Sequence, residues 1–144
     1  MSSRILTVIP KTVYSFDNKE TGLARIQIGP RAIQTADWKS GILSVCVFRQ
    51  NIQSATTSIQ VKVLNSFISP EEPQTLFTES IGTHAVASVT IDSTTPDEGE
   101  NGSLLIAPMS NIGAMVSVML VCEQGATEGQ AEVGLSVTLI GRDA

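Results

Sequence analysis

The sequence predicts an all-β fold: a single domain over residues 1–144, built as a two-sheet β-sandwich of jelly-roll or Greek-key type with little or no helix. Three observations predict it. Apolar and polar residues alternate with a period of two along much of the chain, the alternating runs are rich in β-branched residues, and turn-forming residues interrupt them at short intervals. The length suits one core, which would bury roughly 70% of the surface of the unfolded chain. With 42% apolar residues but one Trp, one Tyr and four Phe, that core is made of Val, Ile, Leu, Ala and Met. No composition break divides the chain, and no repeat with a period of about 20 to 50 residues marks a propeller or solenoid.

Taken in order, residues 4–9 and 11–16 read as two short strands separated by Pro10, and 23–28 as a third that stops at Gly29-Pro30. The segment 1–29 has two readings: an N-terminal arm that adds a strand to a neighbour's sheet, or the first strands of the chain's own sandwich. Residues 42–48 form a strand after the turn Lys39-Ser40-Gly41. Over 58–63 the alternation is strict, with Ile59, Val61 and Val63 on one face and Gln60 and Lys62 on the other. Pro70 and the acidic pair Glu71 and Glu72 suit a short helical turn over 70–77. Residues 85–91 and 103–107 are strand-like. The Val- and Met-rich run 114–122 is far shorter than the roughly 20 residues of a membrane helix and suits a strand buried on both faces. In the last strand Val133, Leu135, Val137 and Leu139 alternate with Gly134, Ser136 and Thr138.

Charge and chemistry narrow the function. Nine Lys and Arg against fourteen Asp and Glu leave a net charge of −5, the wrong sign for a protein that gains affinity by neutralising phosphates, so no nucleic-acid partner is expected. The opening apolar run before Pro10 is too short for a secretory core of about 7 to 15 residues, and no membrane partner is expected; the chain reads as soluble and made in the cytoplasm. One His and two Cys leave few side chains for metal capture or nucleophilic attack, so neither an enzyme nor a bound cofactor is expected.

The remaining candidates each have a plain reading beside the functional one. Cys46 and Cys122 lie in apolar runs without CxxC spacing and read as small buried hydrophobes, with a bridge between neighbouring strands as the alternative. Asp92, Asp97, Glu98 and Glu100 crowd the loop 92–102, which reads as a solvated hairpin tip because it lacks the ligand spacing of a calcium loop. His84 has no nucleophile motif beside it, although Ser80 and Thr83 are near in sequence, and reads as a surface histidine. The glycines at 125 and 129 have no following Lys-Ser or Lys-Thr and read as a strand connection. Trp38 is a sugar platform, an interface anchor or a plug at one end of the sandwich.

Four stretches carry a family resemblance: Ala36-Asp37-Trp38-Lys39-Ser40-Gly41-Ile42-Leu43-Ser44-Val45, Ser58-Ile59-Gln60-Val61-Lys62-Val63-Leu64-Asn65, Ser69-Pro70-Glu71-Glu72-Pro73, and Gly134-Leu135-Ser136-Val137-Thr138-Leu139-Ile140-Gly141-Arg142-Asp143. In strand rhythm and loop character the chain resembles the capsid decoration, or cement, proteins of tailed bacteriophages. The resemblance implies a jelly-roll-like domain that assembles as a homotrimer on the outside of the virion and staples neighbouring major capsid protein subunits. It transfers no binding residues, so the partner-contact residues stay unassigned. The rival expectation is a ligand- or carbohydrate-binding sandwich of a phage tail or cell-surface assembly, with its site in the loops near Trp38 and Asp97.

Overall fold

The computed structural model describes residues 3–16, 22–68, 75–77, 85–96, 103–124 and 131–143. Nine strands account for most of them: β1 (Ser3–Phe16), β2 (Gly22–Gln34), β3 (Ser40–Ile52), β4 (Ser58–Ile68), β5 (Thr75–Phe77), β6 (Ala87–Ile91), β7 (Ser103–Met109), β8 (Met115–Gln124) and β9 (Ala131–Arg142). They form two antiparallel sheets. One has the order β1-β9-β3-β7; the other runs β2-β8-β4, and the free edge of β4 takes β6 along Ile59–Val63 and β5 along Ser66–Ile68.

The pairing is nested. β1 pairs with β9, β2 with β8, β3 with β7 and β4 with β6, as in one long hairpin rolled up on itself, and the contacts β3·β9 and β4·β8 then close the two sheets. That arrangement is a jelly roll, the more specific of the two sandwich types the sequence predicts. The period of two sets the core. Leu43, Val45 and Val47 of β3 and Val133, Leu135, Val137 and Leu139 of β9 face Ile59, Val61 and Val63 of β4 and Val116, Val118, Leu120 and Cys122 of β8, all fully buried. Each such aliphatic side chain contributes about 1.5–3 kcal/mol by leaving water. β8 is buried on both faces, as its Val- and Met-rich run, broken only by Ser117, predicts.

Several boundaries differ from the sequence reading. The two strands expected around Pro10 are one strand, because β1 is a sheet edge: its register with β9 slips between Thr7 and Ile9 and again between Ile9 and Thr12, and a residue without an N–H fits there. Gly29-Pro30 does not end β2 but kinks it. Gly29 has φ +70°, and a Cβ there would lie 2.8 Å from the carbonyl oxygen of Val8, so the close approach of β1 and β2 requires glycine. The helical turn expected over 70–77 is contradicted at its end, where Thr75–Phe77 form β5; the open edge of β4 gives these residues a ladder that an isolated helical turn cannot match. Residues 70–74 lie outside the described residues. The segment 1–29 supplies β1, paired with β9 from Ser3 to Phe16, and the first part of β2.

Candidate functional site

The outward positions of the four-stranded sheet form an apolar surface. Its register places Ile5, Ile140, Ile42 and Pro108 in one row across β1, β9, β3 and β7. The next row is Thr7, Thr138, Ser44 and Ile106, and the third holds Ser136, Cys46 and Leu104. Ile5, Leu104 and Ile106 are 75%, 61% and 58% exposed, and Ile42 is 37% exposed. Leu104 and Ile106 stand beside Cys46 and Ser44, too short to cover them, and Ile5 and Ile42 share a row with Ile140 and Pro108. A depression of about 340 Å³ opens beside Ile42, Pro108 and Ile140.

No charged residue stands in these three rows. The charges gather beyond the ends of the patch. At one end Arg4 lies 3.6 Å from Asp143; at the other, Arg49 pairs with Glu132 at 2.5 Å, Ser15 donates to the same carboxylate at 3.3 Å, and the Lys11 ammonium sits 5.5 Å from the centre of the Phe48 ring. An uncharged apolar centre with a polar rim is the anatomy of a protein contact surface.

Trp38 closes one end of the sandwich. The turn that carries it is fixed by Thr35, whose carbonyl accepts from the Trp38 N–H at 3.0 Å and whose hydroxyl donates to the Gly113 carbonyl at 2.8 Å. The indole lies across the paired residues Gly41 and Gly141, and a Cβ at Gly141 would sit 2.3 Å from its ring. At 8% exposure the ring has no free face to offer a sugar. Beside it, a cleft of about 440 Å³ runs between β1 and β2, lined by Leu6, Pro30, Ala32 and Ile33, with Arg4 and Gln34 among its polar walls.

The other sequence candidates do not converge on a site. Asp92 is committed to its own turn: its Oδ1 accepts from the Thr94 N–H at 2.9 Å and from the Thr94 hydroxyl at 2.5 Å, which holds its carboxyl below the usual range. Asp97, Glu98, Glu100, Ser80, Thr83, His84 and the glycines at 125 and 129 lie outside the described residues. Among the described residues no group of three His, Cys, Asp or Glu is placed to hold a metal. Both cysteines are free thiols. Cys122 is the buried hydrophobe expected, its thiol pushed up to about 11 by burial, but Cys46 is not: its outward position in β3 leaves it half-buried on the apolar face.

The sequence reading singled out none of Ile5, Ile42, Leu104 or Ile106. A signal was present. In Leu104-Leu105-Ile106-Ala107 the apolar residues run consecutively, and within a strand such a run makes both faces apolar. Nothing within one strand says whether its outer face will be covered.

No family model matches the chain, and no curated protein matches it either. Among solved structures, it resembles the crystal structure of the infectious bursal disease virus VP2 subviral particle, with 11% identity and a TM-score of 0.51, over 96% of this chain and 32% of that one. A structure of the Gx strain of infectious bursal disease virus aligns at 16% identity and a TM-score of 0.49, over 96% of this chain and 31% of the other. The present chain thus spans about a third of the length of those chains. The first likeness is one of fold: a two-sheet β-sandwich.

Proposed function

We propose that this protein is a structural component of a virion, a decoration protein that binds the outer surface of a capsid and stabilises contacts between major capsid protein subunits. The observation that carries the reading is the apolar, uncharged face of the four-stranded sheet, with Ile5, Leu104 and Ile106 more than half exposed. The two-sheet sandwich fold shared with the VP2 subviral particle supports it. The work of such a protein is contact, not catalysis. Each copy contributes a patch of modest size, and repetition over a lattice multiplies its effect on the separation of capsomers. A sugar-binding role, by contrast, loses its main candidate to the burial of Trp38.

Co-sedimentation with capsids stripped of accessory proteins tests the proposal. The native chain is expected to bind saturably and to raise the capsid melting temperature. Replacing Ile5→Asp together with Ile42→Ser should weaken binding by about 10- to 100-fold, the scale of losing central contacts. A Thr90→Asp control on the outer face of the other sheet should bind normally. Failure of the native protein to bind, or undiminished binding by the double variant, would overturn the proposal.

A further inference from the structure

A sheet edge carries a row of backbone N–H and C=O groups without partners, and proteins blunt such edges with bulges, charges, prolines or brevity. Among the described residues, four of the five edge strands are blunted. β1 has Pro10, two register slips, Arg4 and Lys11; β2 has the left-handed Gly29, Pro30 and Arg25. β5 and β6 have three and five residues. β7 is different. Its seven residues pair with β3 in unbroken register, contain no charged side chain, and expose Leu104 and Ile106.

Pro108 sets the polarity of this edge. Having no N–H to donate, it takes a position whose backbone turns away from β3, so the ladder bonds fall on Ser103, Leu105 and Ala107. The N–H and C=O groups of Leu104 and Ile106 then point off the sheet. Among the described residues, no other strand pairs with that side of β7.

We propose that β7 joins two copies of this chain, lying antiparallel to the β7 of a second copy across a twofold axis to make one eight-stranded sheet. The edge is self-complementary. With Leu104 opposite the partner's Ile106 and Ile106 opposite the partner's Leu104, the four free N–H groups meet the four free C=O groups, and the side chains of each row pair apolar with apolar. The pairing is closed: a twofold contact uses both β7 edges and leaves neither free to propagate. Size points to the same occupant. Three rows across four strands make a face of roughly 20 by 20 Å, about half of the ~800 Å² that one partner gives to a standard interface. Two copies joined at β7 double it into one continuous platform. This last argument rests on the capsid-contact reading, whereas the pairing experiment needs no capsid, so either can fail alone. The assembly is twofold, in place of the trimer that the phage resemblance implies.

The test is sedimentation equilibrium of the purified chain and two variants. The native protein is expected to be a reversible dimer, with its Leu104 amide protected from exchange more strongly as concentration rises. Ile106→Pro removes one outward N–H per copy, in the setting Pro108 already occupies two residues on. It should weaken association by about 10- to 100-fold and leave the β-sheet spectrum unchanged. If Ile106→Pro does not fold, Ile106→Lys decides, since it places like charges across the axis and should likewise yield monomer. A native monomer at millimolar concentration, a trimer, or a dimer as stable in the folded variant as in the native chain would each overturn the pairing.

Discussion

On the outer face of the five-stranded sheet, Met119 stands between Gln27 and Lys62, and Val121 between Arg25 and Gln60; these two apolar residues are 7% and 4% exposed. Across the four-stranded sheet, Leu104 stands beside Cys46 and Ile106 beside Ser44, each with an open strand edge on its other side, and they are 61% and 58% exposed. All four are apolar residues on an outer face, but their surroundings differ. Met119 and Val121 sit in a central strand between two long-stemmed neighbours and cluster with Leu64 and Ala85, whereas Leu104 and Ile106 sit on an edge strand with one short neighbour. Long amphipathic stems lie down over an apolar side chain while their polar ends stay in water, whereas Ser, Thr and Cys leave it standing as a knob. One outer face covers its apolar residues; the other leaves them exposed.

Thiol labelling probes this contrast most strongly. Cys46 lies within the exposed face, and Cys122 points into the core with its thiol raised to about 11. At pH 8 roughly one Cys122 in a thousand would be thiolate even if it were accessible, so a maleimide should modify Cys46 first and reach Cys122 only on unfolding. Covering the face should in turn shield Cys46. Equal labelling of both thiols in the folded protein would mean the faces are not as distinct as described.

Truncations compare the faces energetically. Met119→Ala removes a covered side chain and should cost about 2 kcal/mol or more in denaturant unfolding, whereas Leu104→Ala should stay within about 0.5 kcal/mol. A Leu104→Ala loss as large as that of Met119→Ala would show the exposed face to be part of the fold's own stability.

The smallest effect belongs to Asp92, at the turn after β6. Its carboxyl is held low by its bonds to Thr94, so the stabilisation it gives is present above the unfolded carboxyl's ordinary range and is lost as pH falls through the lower folded value. Asp92→Ala should therefore lower the melting temperature slightly at pH 7, and the difference from the native protein should shrink as pH falls through the lowered folded value.

The alternation in 58–63 and 133–139 made the inward and outward faces of β4 and β9 legible from the residues alone, because a period of two has one geometric solution in a half-buried strand. β7 was legible as a strand but not as an edge. That status depends on which strand lies beside it, a long-range fact: Leu105 meets Val45 across 60 residues of chain, and no local pattern encodes the pairing. The same holds for Gly141. It reads as an ordinary glycine near the end of a strand until the indole of Trp38, a hundred residues earlier, is found lying on it.

The nested pairing also governs the order in which the chain can fold. β4 and β6 are separated by a short stretch of sequence and can meet early, but β1 waits for β9, its one strand neighbour among the described residues, with Ser3 opposite Arg142. Closing that outermost pair requires the whole intervening chain to be in place, so folding should be slow and should finish at the two ends together. Until then β9 lacks one neighbour and the four-stranded sheet has its greatest exposed edge. A nascent copy is therefore most prone to pair with the wrong strand in its final moments, and the bulges, Pro10 and Lys11 of β1 are well placed to discourage it.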